Sequence, residues 1–385
     1  MRNINTPCYI YDIEQLEQQI SKVKNVLDKN IGICYAMKAN AFILRDIDNY
    51  VDRLEVCSPG EYEICKEYMI NPAKIIVSGV NKTYESIKNI FEYSKGEGIY
   101  TIESFNHYEL LDRCARENNV RINILIRLTS GNQFGLCKDD FEEVLKKVIN
   151  NEYMNLEGIH YYSGTQKKIS KINKELIELD EYAFYIKDKF NIERLDLEYG
   201  PSMMVSYFED ESIDSDEIQL KNLNDILLQV KNFDKVTLEY GRFLTASCGY
   251  YITKINDIKK TKKTNYIIVD GGIHQVNYYG QMMGMKKPYM KHMSDKLEVI
   301  ADEKNDDKWT ICGSLCTVND IIVREKNIDN PKINDIIIFE NTGAYSAMEG
   351  MNLFLSRNLP SVYLYNKDKT LSKIRDNIET YTLNS

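Results

Sequence analysis

The sequence predicts an α/β chain: a (β/α)8 barrel followed by a second, mostly antiparallel β domain. Three observations carry this. Eight short aliphatic or β-branched runs alternate with amphipathic stretches through the first two thirds of the chain. After about Gly249 the rhythm changes to strands with little helix between them. The 385 residues also exceed what one ordinary core serves, so two domains, or one large barrel with an appended lobe, are expected.

The eight runs are Ile33–Met37, Leu54–Cys57, Ile75–Ser78, Ile99–Ile102, Ile122–Ile126, Leu156–Ile159, Leu195–Glu198 and Val236–Glu239. Stretches between them, such as Phe141 to Val148, place apolar residues at helical spacing. Strands that alternate with helices imply a parallel sheet, and eight units close a barrel. An open doubly wound sheet is the competing reading at this point. Beyond Gly249, Tyr250–Ile255 alternates, and Tyr266–Val269, Ile321–Val323, Ile336–Phe339 and Val362–Tyr365 follow. The early run Tyr9–Tyr11 lies outside the barrel count and is expected to pair into the second domain. Residues 25–248 are therefore assigned to the barrel, and 1–24 with 249–385 to the β domain.

Composition narrows the functional class. A net charge of -9 argues against binding nucleic acid, which calls for a basic surface. No apolar run approaches the roughly 20 residues of a membrane helix, and residues 1–6 do not resemble a signal peptide. Nine cysteines, odd in number and scattered, read as free thiols in the cytoplasm. Four dispersed histidines and the lack of any Cys-x-x-Cys pair point away from a metal site.

In such barrels chemistry sits at the C-terminal ends of the strands, and phosphate often binds after the last two. The first run closes on Lys38, within Tyr35-Ala36-Met37-Lys38-Ala39-Asn40. Alone, Lys38 reads equally well as a lysine reaching from the rim to solvent. It has company, however. The fifth run closes on Arg127, the sixth leads into Tyr162-Ser163-Gly164-Thr165, the seventh into Glu198-Tyr199-Gly200-Pro201-Ser202, and the eighth into Glu239-Tyr240-Gly241-Arg242. Hydroxyls, glycine turns and an arginine are suitable phosphate donors.

These residues resemble the fold type III pyridoxal-phosphate (PLP) decarboxylases, the diaminopimelate and ornithine decarboxylase family, with an alanine-racemase-like barrel. The likeness runs from Thr6-Pro7 to about Tyr365 and rests on four motifs. Tyr35–Asn40 is similar to the cofactor-lysine motif, and Glu239-Tyr240-Gly241-Arg242 to the family's Glu-Pro-Gly-Arg. Gly313-Ser314-Leu315-Cys316-Thr317 is similar to its Gly-Pro-x-Cys segment, and Thr342-Gly343-Ala344-Tyr345 to its Gly-Ala-Tyr. The resemblance implies that Lys38 carries PLP as a Schiff base and that Glu239 faces the pyridine nitrogen. It implies phosphate binding by Thr165, Gly200, Ser202, Gly241, Arg242 and Tyr345, with Arg127 near the phenolic edge of the ring. Tyr162 stands where most members stack a histidine on the ring. Cys316 is the implied proton donor, lent by the partner subunit of a homodimer with shared active sites.

Departures bear on the substrate. Glu198–Ser202 replaces a Gly-Gly-Gly-Phe-Gly loop and retains a single glycine. Thr317 follows Cys316 where ornithine-type enzymes carry aspartate and diaminopimelate enzymes glutamate, so a distal ammonium would lose its partner. That position, with Asp320 and with His274 in Asp270-Gly271-Gly272-Ile273-His274, resembles the natural-product branch acting on citryl-conjugated or carrier-protein-bound amino acids. Thr317, Asp320 and His274 are therefore assigned to the substrate. Lys286, Lys287 and Lys291 are read as a possible contact for an acidic conjugate or carrier, or as a solvated loop. The rival readings are decarboxylation of free diaminopimelate, ornithine, lysine or arginine, a racemase or aldolase on the same scaffold, and a cofactor-less binding protein.

Overall fold

The computed structural model describes residues 4–300 and 307–385. The chain divides into two compact units. One comprises Met1–Gln19, Val205–Ile213 and Leu244–Ser385; the other comprises Ile20–Met204 and Asp214–Phe243. The segment Val205–Ile213 thus groups with the sheet unit, although it lies within the stretch the sequence assigns to the barrel.

In chain order β1 (Cys8–Asp12) comes first and belongs to the sheet unit. The other unit contains β2 (Gly32–Ala36), β3 (Arg53–Val56), β4 (Ile75–Val77), β5 (Ile99–Ile102), β6 (Ile122–Arg127), β7 (Met154–Tyr161), β8 (Asp196–Tyr199) and β9 (Val236–Tyr240). These eight strands form a closed parallel barrel in sequence order. Strand β9 closes against β2 with Cys34 opposite Glu239 and Tyr35 opposite Tyr240. All eight correspond to the predicted runs, because strands covered on both faces read as near-continuous apolar segments. Cys34, Ile76, Ile99 and Leu125 pack into one buried cluster.

Several of the helices between strands begin where a side chain satisfies an orphan backbone amide. Ser104 caps Phe105–Asn118 by accepting from the His107 amide at 3.2 Å, and Asn119 ends that helix in the left-handed region. Helix Lys138–Ile149 buries Phe141, Val144, Leu145 and Val148, the apolar face that the periodicity predicts. Among the described residues, no helix is long and apolar enough to cross a membrane.

The second unit adds β10 (Gly249–Lys260), β11 (Asn265–Val269), β12 (Met290–Met293), β13 (Lys308–Cys312), β14 (Ile321–Asn327), β15 (Ile336–Phe339), β16 (Ser361–Tyr365) and β17 (Leu371–Arg375). They form one sheet ordered β14-β13-β11-β10-β1-β16-β17, with β15 pairing β10 and β12. Strand β1 lies antiparallel to β10 and parallel to β16. The pairing of β11 with β13 is also parallel, and the rest are antiparallel. Within this unit Lys326 reaches Glu209 at 2.5 Å and Asn341 reaches the Ser206 carbonyl at 3.0 Å, which ties Val205–Ile213 to the sheet.

Candidate active site

Lys38 follows β2 in a short 3-10 turn, and its side chain is about one third exposed. Its Nζ lies 2.8 Å from Glu55 Oε2 and 3.5 Å from Glu239 Oε1. The ring centroid of Tyr162 is 5.6 Å away, and Cys57 Sγ is 3.7 Å away. A lysine and two buried carboxylates, one from each barrel strand flanking β2, therefore meet at the C-terminal ends of the strands. Lys38 is an engaged group at the barrel mouth, not a rim lysine turned to solvent.

Each carboxylate is held in turn. Glu239 accepts from His160 Nε2 at 3.0 Å, and both side chains are buried. Burial alone would push the Glu239 carboxyl up, but Lys38 and His160 together hold it well below the usual carboxylate range. Glu55 accepts from Ser78 Oγ and from the Cys57 thiol at 3.3 Å. Burial and the Glu55 charge push that thiol far above its ordinary range, so Cys57 is a neutral donor here. Arg127 is buried, bonds Glu103 at 3.1 Å and lies over the Phe134 ring; its Nε has no hydrogen-bond partner among the described residues.

Two of the predicted phosphate donors, Thr165 and Arg242, are joined directly. Arg242 Nε bonds Thr165 Oγ1 at 3.3 Å, which joins the turn after β9 to the turn after β7. A Cβ at Gly164 would meet nothing within 4 Å, so that turn faces open space. A Cβ at Gly200 would fall 2.4 Å from Tyr162 Cδ2, so only glycine lets the tyrosine ring lie against the β8 turn.

In the sheet unit, Cys316 is exposed and Thr317 is half-buried. Tyr345 adopts a left-handed backbone, φ 67°, a strained conformation for a tyrosine. His274 is buried with both ring nitrogens unpartnered among the described residues; burial, and then Arg357, lower it to about 4. Asp320 is buried, and its carboxylate accepts from the Ile273 amide at 2.9 Å and the Leu315 amide at 2.7 Å, which ties it to the Cys316 loop. Lys286 pairs with Glu211 at 3.1 Å and Lys291 with Glu340 at 2.6 Å, both as exposed surface ion pairs.

A family model described as "Pyridoxal-dependent decarboxylase, C-terminal sheet domain" matches residues 8–343, most of the chain. The chain belongs to the pyridoxal-dependent decarboxylases. A Staphylococcus aureus 2-((L-alanin-3-ylcarbamoyl)methyl)-2-hydroxybutanedioate decarboxylase is 28% identical, over 92% of this chain and 93% of its own. A Niallia circulans L-glutamyl-(BtrI acyl-carrier protein) decarboxylase is 24% identical, over 93% of this chain and 88% of its own. The diaminopimelate decarboxylase of Methanocaldococcus jannaschii is 26% identical in sequence, over 98% of this chain and 89% of its own. Its crystal structure with L-lysine superposes with a TM-score of 0.85, at 22% identity over 97% of this chain and 90% of that chain.

The cofactor of this decarboxylase is PLP, and the donor set fits it. An amine stands 3.5 Å from a carboxylate kept ionised, and an arginine, a hydroxyl and glycine turns gather at the ends of the late strands. Sequence reasoning left Glu55, Cys57, Ser78, Glu103 and His160 without roles. Glu55 carried a legible signal: a charge in the middle of a strand whose neighbours Leu54 and Val56 are both apolar.

Proposed function

We propose that this decarboxylase removes the α-carboxylate, as CO2, from an amino acid conjugated to a citrate-like acid or tethered to a carrier protein. The observation that carries this reading is the uncharged Cys316 loop. Gly313 to Asn319 contains no ionisable side chain except Cys316, and the neighbouring Asp320 carboxylate is consumed by backbone amides. A free distal ammonium would be desolvated there without a partner, at a cost of roughly 1–3 kcal/mol or more. Two relatives named for conjugated or carrier-bound substrates support the same reading.

Bound PLP supplies an electron sink for the pair left on the α-carbon when CO2 departs. The other roles fall to the chain. The Lys38 amine would hold the cofactor and would carry a proton beside the α-carbon. Glu239, kept ionised by Lys38 and His160, would hold a proton on the pyridine nitrogen. Tyr162 would cover the ring, Arg127 would lie toward its phenolic edge, and Thr165, Gly200, Ser202, Gly241, Arg242 and Tyr345 would bind the phosphate. Thr317 and His274 are assigned to the substrate, and the Cys316 thiol to protonation of the α-carbon. A second copy of the chain lends Cys316. Met282, Met283 and Met351 line a cavity of about 420 Å3 with Asn319 of that loop, and Met282 is 66% exposed, as suits a surface that a second copy covers.

The test is CO2 release from the PLP-loaded enzyme with matched free, citryl-conjugated and carrier-bound amino acids. Turnover of conjugated substrates at least about tenfold above the free ones is expected, a difference of 1.4 kcal/mol. Preference for free diaminopimelate, ornithine, lysine or arginine would refute it.

A further inference from the structure

One buried cation plays no part in the roles assigned above. The side chain of Lys167 is 1% exposed, and its Nζ meets Glu175 Oε2 at 2.7 Å, the Gly200 carbonyl at 2.8 Å, Tyr199 Oη at 3.1 Å and Ser163 Oγ at 3.2 Å. Glu175 accepts in addition from Ser163 Oγ at 2.5 Å and Tyr199 Oη at 2.7 Å. The Lys167 amide also donates to the Ser202 carbonyl at 2.8 Å. Main chain and side chain of one residue therefore tie the turn after β7, which carries Ser163, Gly164 and Thr165, to the turn after β8, which carries Gly200 and Ser202.

Those turns need an external hold. Gly164, Gln166 and Ser202 all have positive φ, and for Gln166 and Ser202 that is uncommon and persists only where surroundings fix it. The β8 turn has also lost most glycines of the resembling loop. Tyr199, at one of those positions, brings in a buried hydroxyl that must be hydrogen-bonded, and Lys167 and Glu175 supply both partners. Burial lowers the Lys167 ammonium to about 8 despite Glu175, so its ion pair is held against a real desolvation cost.

We propose that Lys167 is a positioning residue that holds the β7 and β8 turns in the arrangement that receives the cofactor's phosphate. This deepens the proposed function and rests on its reading that these turns bind phosphate. The function demands a readout that a merely structural lysine would not move. That readout is the ratio of the dissociation constants for PLP and for pyridoxal, which lacks the phosphate, measured by absorbance titration of the full-length apo chain.

The variants are Lys167→Met and the double variant Lys167→Met/Glu175→Leu; the second leaves no unpaired buried charge and keeps the test available if the first does not fold. By analogy with residues that orient metal ligands, the dissociation constant for PLP should rise about 10- to 100-fold, while that for pyridoxal stays near the wild-type value. Thr165→Ala and Arg242→Ala report on the underlying reading and should shift the same ratio. If they do and the folded Lys167 variants do not, the positioning role is overturned while the phosphate reading stands. If none of the four moves the ratio, both fall.

Discussion

Gly200→Ala tests how the ring-facing wall of the site is built. The new Cβ would sit 2.4 Å from Tyr162 Cδ2, 3.3 Å from Cε2 and 3.4 Å from Cγ. Carbon atoms rest about 3.5–4.0 Å apart, so the pair must separate by roughly 1 Å or more. The backbone of Gly200 has little freedom to yield, since its amide donates to the Tyr161 carbonyl at 3.0 Å and its carbonyl accepts from Lys167 at 2.8 Å. Its φ lies outside the left-handed region, so alanine brings no backbone strain. The ring must therefore move. Overpacking of this kind costs about 1–3 kcal/mol, and if the cofactor must restore the ring position, its dissociation constant rises about 5- to 150-fold. The assay is absorbance titration of apo protein with PLP, run as a double-mutant cycle with Tyr162→Ala. Removing the ring removes the clash, so the two changes should couple by at least 1 kcal/mol. Additivity within about 0.3 kcal/mol would show that the methyl group acts somewhere other than on Tyr162, and the account of this wall would be wrong.

Two further outcomes follow from the same geometry. Burial raises the Glu198 carboxyl from 4.5 to about 8, with Arg53 at 2.9 Å only partly opposing it. Between those values the native state holds a proton that the unfolded chain releases, so stability falls as pH rises from about 4.5 to 8. Glu198→Gln removes that titration. Denaturant melts at pH 5.5 and 8 should show a smaller loss in the variant, by about 1.4 kcal/mol per pH unit at most, and identical losses would refute it. Mixing Lys38→Ala with Cys316→Ala subunits tests the shared site: random pairing makes half the dimers mixed, each with one intact site, so about a quarter of wild-type activity should return. Mixtures shown to contain heterodimers yet remaining inactive would refute sharing.

The barrel was legible because its strands are covered on both faces and most of them read as short apolar-rich runs. Of the three strands missed in the sheet unit, β13 (Lys-Trp-Thr-Ile-Cys) does bury apolar residues, and the other two lack that mark. Strand β12 is Met-Lys-His-Met, and β17 is a polar edge strand paired on one side by β16. The grouping of Val205–Ile213 with the sheet had no local sign either, since it rests on partners such as Lys326 and Asn341 more than 100 positions away. In the site, Lys38, Thr165, Glu239 and Arg242 were singled out because they stand at or just after the C-terminal ends of the first, sixth and eighth barrel strands. His160 was passed over because burial, which makes it a partner of Glu239, cannot be read from a strand-end histidine alone. The two amide bonds of Asp320 had no sign in the sequence for a related reason: a carboxylate near such a loop looks the same whether or not it accepts from the backbone.

The departures from the resembling family pattern are not independent of one another. Tyr162 stands where histidine is usual, and its ring occupies the space that a side chain at position 200 would fill, so the one glycine retained in the β8 turn is the one this tyrosine requires. Tyr199 places a buried hydroxyl at a former glycine position, and Lys167 and Glu175 satisfy it. Glu198 places a carboxylate at another, and Arg53 reaches it from β3 at 2.9 Å. A buried charge or hydroxyl stripped of its partner costs several kcal/mol, whereas the matched set costs little. Each of these residues therefore makes physical sense only with its partner, and the altered loop is a repacked turn, not a decayed one. That separates this chain from a cofactor-less relative: a site released from PLP would have no reason to keep Gly200 open beneath Tyr162 or to hold two strained turns against each other with a buried ion pair.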